Sequence, residues 1–229
     1  MRRDSIAASA PDFRLRVRRN RLPASRAIIP KMPRVVDVAE SVRSAPGGRE
    51  VPPSVSVGVV VWLASELMFF SALFAAYFTL RASTIPWPPA GVHLATQRTG
   101  AATVVLVLSS LTMHLAVRAS ERGDRTATIR WLSLTAGLAL LFLANQAWEY
   151  AQVSFRISSH AYGSMFFLMT GFHGLHVIGG VVFMAAVIGM IAGPGARAPV
   201  GTTVQVCAYY WHFVDVVWLA MFITIYLIR

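Results

Sequence analysis

Residues 162–192 read YGSMFFLMTGFHGLHVIGGVVFMAAVIGMIA, thirty-one positions without a single Lys, Arg, Asp or Glu. A helix rises about 1.5 Å per residue, so about 20 apolar residues cross a hydrocarbon layer about 30 Å thick. This stretch exceeds that need, and tilt or protrusion accommodates the surplus. In lipid every backbone N–H and C=O must be satisfied within the segment, so a run of this kind is a membrane helix. It nevertheless carries two histidines, His173 and His176, three positions apart. Ionisable side chains at membrane depth are costly and mark either a functional group or a buried polar contact.

Four more apolar runs accompany it, at about 55–80, 100–117, 129–150 and 204–228. Turn-forming stretches separate them: PWPPAG at 86–91, ERGD at 121–124 and GPGARAP at 193–199. The fold class expected is therefore all-α, a polytopic bundle of five transmembrane helices spanning residues 54–229. Composition agrees, since 55% of the 229 residues are hydrophobic and only 14% are charged, against about 25% in soluble domains.

The net charge of +11 does not point to nucleic acid. Twelve of the twenty-one Lys and Arg residues lie in positions 1–50, and the others fall mostly in short loops. A basic fringe on an apolar body is what membrane orientation requires. Counting charges on alternate sides favours an N-terminus inside and a C-terminus outside, mainly through the tail. Residues 1–53 also hold seven of the twelve prolines and show no helical or strand period, which predicts a disordered basic tail. No apolar core follows its arginines, so it is no secretory signal. The acid-poor first thirty residues have the composition of a transit peptide, and Met32 offers an alternative start. The lone cysteine, Cys207, excludes an intramolecular disulfide and a CxxC motif.

The polar residues inside the spans narrow the chemistry. Glu66 lies about 16 Å into the first helix, near the midplane. His173 and Asp215 fall at similar depth, and His176 and His212 one turn away. If the helices are neighbours, these groups share a layer. Glu66 is either a relay carboxylate or a hydrogen-bonded structural group. His173 and His176 lie on one face, beside glycines 171, 174, 179 and 180 that permit close helix approach. That setting favours interhelical hydrogen bonding over a metal site, which would need further ligands in a tighter pattern. His212 and Asp215, again three apart, suit a buried pair. Gln146 and Glu149 end the third helix in NQAWEY and are expected at the interface, with Trp148 and Tyr150 as belt aromatics. His93, His114 and His160 read as surface residues.

Together SELMFF (65–70), WPP (87–89), ERGD, QAWEY (146–150), YGSMFFLMTGFHGLHVIGG (162–180) and YYWHFVDVVWLAMF (209–222) resemble subunit III of the haem–copper cytochrome c oxidases. The resemblance covers about residues 54–229. The longer members have seven helices, and this chain is similar to the five-helix bacterial form that lacks the first two.

The resemblance implies an accessory subunit without a redox centre, in a complex that reduces oxygen to water and pumps protons. Haem and copper would belong to partner subunits. Subunit I would be the main contact, with subunit II and bound phospholipid as further partners, in the inner membrane of a bacterium. Glu66 matches the family's intramembrane carboxylate, which is associated with carbodiimide reactivity and with lipid or oxygen paths. His173, His176, His212 and Asp215 would be members of a buried polar network. Without the first two helices, the family's V-shaped lipid cleft is not complete from this chain alone. Quinol oxidases and some nitric oxide reductases have similar third subunits. From different classes, a haem- or metal-binding membrane protein or a small proton transporter would also use membrane histidines.

Overall fold

The computed structural model describes residues 54–193 and 200–228, and the expected basic tail at 1–53 lies outside the described residues. Among the described residues every regular element is helical: α1 (Ser54–Ser83), α2 (Thr96–Glu121), α3 (Arg125–Gln152), α4 (Ala161–Ala192) and α5 (Val200–Phe222). A π-helical turn, Ile223–Leu227, continues α5. All five helices are long and apolar enough to span a membrane. The chain is thus an all-helical multi-pass membrane protein.

Two helix starts and the turn between α2 and α3 are fixed by capping hydrogen bonds. In ERGD, Gly123 takes a φ of +73°, which glycine adopts without steric cost. Its N–H reaches the Ser120 carbonyl at 3.0 Å and the Asp124 N–H reaches the Ala119 carbonyl at 3.1 Å. That pair of bonds closes α2, and the Asp124 carboxylate then accepts from Ala127 N–H at 2.9 Å to open α3. Three residues therefore reverse the chain. His160, read from sequence as a surface residue, caps α4: its Nδ1 accepts from Gly163 N–H at 2.8 Å.

Helices α2, α3, α4 and α5 pack in a ring, each against the next, and α1 lies outside it against α4 and α5. The ring's centre holds Leu106, Met113, Leu132, Phe142, Met169, Trp211 and Trp218, all essentially buried. Both indoles find hydroxyl acceptors on α2: Trp211 on Ser109 and Trp218 on Thr103, each at 3.0 Å. A buried indole N–H left without a partner would be costly, so Ser109 and Thr103 fix the register of α2 against α5.

Large apolar side chains also cover the outside, Met68, Val104, Leu140, Val182 and Val216 among them. Such a surface is stable against lipid or a partner subunit, not against water. The ends of α1, α3 and α5 and the starts of α2 and α4 share one boundary, because Tyr77, Glu149 and Tyr162 all meet the turn at 224–226.

Candidate functional site: a proton held between the first and fourth helices

Glu66 on α1 and His176 on α4 meet through Oε2 and Nε2 at 3.1 Å. The other ring nitrogen, Nδ1, lies 2.7 Å from the Phe172 carbonyl oxygen. A carbonyl only accepts, so Nδ1 carries a hydrogen. The contact between Nε2 and Oε2 then holds one hydrogen as well. It sits on the carboxyl oxygen facing a neutral imidazole, or on Nε2 facing a carboxylate. Both arrangements leave the pair with no net charge, which is how a carboxylate and an imidazole coexist at membrane depth at tolerable cost.

Aromatic side chains frame this proton. Phe70 meets the His176 ring edge-on at 5.0 Å, and Phe69 packs against Phe172 at 5.0 Å. Tyr210 on α5 donates to the His176 carbonyl oxygen at 2.9 Å and stacks flat on Trp62 at 5.1 Å. The glycines expected to allow close approach divide in two. A Cβ at Gly180 would lie 2.8 Å from Trp211 and one at Gly179 3.1 Å from the Tyr210 hydroxyl, so these two admit α5. Gly174 faces open space, and Gly171 has only ordinary contact with Tyr150. The pair is not sealed: the Glu66 and His176 side chains keep 26% and 17% of their exposure. It is open on the seam between α1 and α4.

A second polar cluster sits between α2 and α5. The Ser110 hydroxyl lies 2.6 Å from Asp215 Oδ2 and 2.7 Å from His212 Nδ1. With one hydrogen to give, it donates to one and accepts from the other. The serine therefore stands between histidine and aspartate. In a hydrolytic triad the imidazole stands in the middle, so nucleophile activation is not available here.

His173 and His176 do not act together. Three residues on a helix leave about 60° between side chains, and that angle sends them to different neighbours. His173 turns into the ring, stacked on Trp218 at 4.9 Å with Phe142 beyond, and neither of its nitrogens has a hydrogen-bond partner among the described residues. The expected single layer of rings and carboxylates is thus two separate clusters and one enclosed histidine.

Gln146 and Glu149 differ from the interfacial placement read from sequence. Both are turned inward and buried. Glu149 Oε2 accepts from Thr99 at 3.1 Å and from Tyr226 at 2.8 Å, so hydroxyls from α2 and the π-helical turn make its burial tolerable. Trp148 is exposed at the same end, as a belt residue would be. Tyr150 instead bonds Thr170 across α3 and α4 at 2.7 Å.

Ser110, Thr99, Tyr210 and Tyr226 also belong to these clusters, though their positions in the sequence do not single them out. One signal was present: LSSLTMH at 108–114 places hydroxyls and a histidine within a span, a composition that joins membrane helices. Among the described residues no three His, Cys, Asp or Glu side chains form a group fit to hold a metal ion. The histidines do not converge on a haem-sized space either: His173 is enclosed by aromatic rings, and His176 and His212 are engaged elsewhere. The described residues therefore fit neither a metal ion nor a haem.

The family described as cytochrome c oxidase subunit III matches residues 37–228. The chain belongs to this family. A protein of Mycobacterium tuberculosis named "Probable cytochrome c oxidase subunit 3" is 46% identical over 185 residues, covering 78% of this chain and 90% of the relative. The cytochrome c oxidase subunit 3 of Corynebacterium diphtheriae is 44% identical over 184 residues with the same coverage. That of Synechocystis is 35% identical over 173 residues, covering 75% of this chain and 74% of the relative. As a subunit III the chain is part of a respiratory oxidoreductase complex and works alongside other oxidase subunits.

Proposed function

We propose that this subunit III is the accessory subunit of a proton-pumping cytochrome c oxidase in a bacterial inner membrane, with its N-terminus inside. It packs against subunit I, with subunit II nearby, while haem and copper reside in those partners. Bound phospholipid completes its surface. Its own contribution is structural support, with a neutral carboxyl–imidazole pair joining α1 to α4 at membrane depth, and through that support it assists proton uptake and oxygen access in subunit I.

The Glu66–His176 contact carries this reading. Its hydrogen-bond pattern requires one proton, the pair stays neutral whichever atom holds it, and the seam leaves it reachable. Such a pair passes a proton between its members without creating a net charge in the bilayer. The relatives' names favour cytochrome c as electron donor to the complex.

The test uses a tagged chain extracted from native membranes in mild detergent. Its reduced-minus-oxidised spectrum should show haem bands that leave together with larger co-purified polypeptides when harsher detergent is applied. Haem that stays with the stripped chain would refute the accessory assignment and make the membrane histidines ligands.

A further inference from the structure

On the side of the ring away from α1, helices α2 and α3 part into a groove of about 390 Å³. Its floor and walls are apolar, with Ala101, Val105, Leu141 and Ala144 among them. The alanines are what open it, since larger side chains at those positions would close the seam. At one end the groove reaches Arg98, Asn145 and Trp148, which also line a smaller pocket of about 80 Å³ running on to His93 and Gln152. The whole depression is therefore polar at one end and apolar along its length.

Its polar end is built to receive an anion. Arg98 Nε donates to Asn145 Oδ1 at 2.9 Å, and the guanidinium lies 4.9 Å over the Trp148 ring. These two contacts orient the planar fork and leave its terminal nitrogens for an acceptor. Asn145 Nδ2 is buried with no hydrogen-bond partner among the described residues, so a second donor waits for an acceptor in the same place. Glu149 lines the smaller pocket as well: its Oε2 takes the hydroxyls of Thr99 and Tyr226, while its Oε1 is buried without a hydrogen-bond partner among the described residues and feels the Arg98 charge, so the guanidinium faces one carboxyl group beside the space left for a ligand. Arg98 stands in the first turn of α2 and Trp148 near the end of α3, which is the boundary level where lipid phosphates lie.

We propose that the groove between α2 and α3 binds an anionic phospholipid, its phosphate held by Arg98 and Asn145 and one acyl chain laid along Ala101, Val105, Leu141 and Ala144. A free phosphate would leave the long apolar groove unfilled. A zwitterionic lipid would bring a second cation to a site whose charged donor is already an arginine. The site deepens the lipid-binding part of the proposed function. It rests on the membrane-spanning fold and not on the oxidase assignment.

The test is native mass spectrometry of the full chain released from nanodiscs containing equal phosphatidylglycerol and phosphatidylcholine. Wild type should retain phosphatidylglycerol selectively, and Arg98→Gln should weaken that retention about tenfold, the effect of losing one charge-assisted anion contact. Arg98→Lys should keep part of it. Ala144→Trp, which fills the groove and leaves Arg98 intact, should abolish it even if Arg98→Gln proves too unstable to read. Equal retention of both lipids, insensitivity to Arg98→Gln or to Ala144→Trp, or displacement by millimolar inorganic phosphate would overturn the proposal. Selective retention by a chain that never co-purifies with haem would sink the oxidase role and leave this site standing.

Discussion

His212 and Asp215 stand one helical turn apart on α5 and share a single hydroxyl, that of Ser110 on α2. The two side chains depend on it together, because Asp215 is buried and its other oxygen, Oδ1, finds no partner among the described residues. Replacing the serine strands both.

Ser110→Ala should therefore lower the stability of the detergent-solubilised chain by about 1–3 kcal/mol, the cost of leaving a buried polar group unsatisfied. Ser65→Ala is the control. Ser65 is exposed and bonds only the Trp62 carbonyl of its own helix, so a change within about 0.5 kcal/mol is expected. Thermal unfolding followed by circular dichroism reads both, and equal melting of the two variants would dismiss Ser110 as a link.

For the Glu66–His176 pair, a glutamine at position 66 can still donate a hydrogen to Nε2. Glu66→Gln should leave α1 docked and the chain's melting close to wild type. It should also abolish carbodiimide modification of this residue, because no carboxyl remains. His176→Leu should instead loosen α1 by about 1–3 kcal/mol, since Glu66 then faces apolar rings alone. Peptide mass spectrometry locates the label. An unmodified Glu66 in the wild-type chain would show that the seam is closed to reagents of that size.

Two glycines on α4 give opposite expectations. A methyl group at Gly180 meets Trp211 ring atoms at 2.8 Å, and the indole is itself buried and tied to Ser109, so it has nowhere to retreat. Gly180→Ala should cost about 1–3 kcal/mol through overpacking. Gly174 faces open space, and Gly174→Ala should be neutral or stabilising by up to about 1 kcal/mol, because alanine favours the helix. Reversed effects in a melting comparison would contradict the observed α4–α5 packing.

The fold was legible because lipid leaves a backbone so few options: five long apolar runs became five helices. Several bounds lie up to four residues outside the apolar runs; at Arg125 the reason is the Asp124 cap, a hydrogen bond that hydropathy does not register, whereas the start at Thr96 has no side-chain cap. The individual polar residues were legible too, but not their partners. Glu66 and His176 are 110 positions apart, and Ser110 and Asp215 are 105 apart. Spacing along one helix cannot reveal a neighbour on another. Nor could it tell His173 from His176, since the difference is which helix each ring meets. Glu149 misled for a related reason. A carboxylate near a helix end can face water or turn inward, and the Tyr226 hydroxyl that settles the matter lies 77 residues away.

The π-helical turn at the end of α5 has a consequence for the order of assembly. A wider turn lets three successive residues, Thr224, Ile225 and Tyr226, all face inward. The Thr224 carbonyl accepts from Tyr77 of α1, the Ile225 carbonyl from Tyr162 of α4, and the Tyr226 hydroxyl reaches Glu149 of α3. Arg81 of α1 adds a bond to the Ile228 carbonyl at 2.7 Å. These residues leave the ribosome after every helix they connect. The bonds at this turn are therefore the last that synthesis makes available, added to spans that already meet one another through pairs such as Thr112–Thr135 and Tyr150–Thr170. A chain stalled or clipped just short of Thr224 would hold all its long helices and still lack the knot that locks three of them to the fifth.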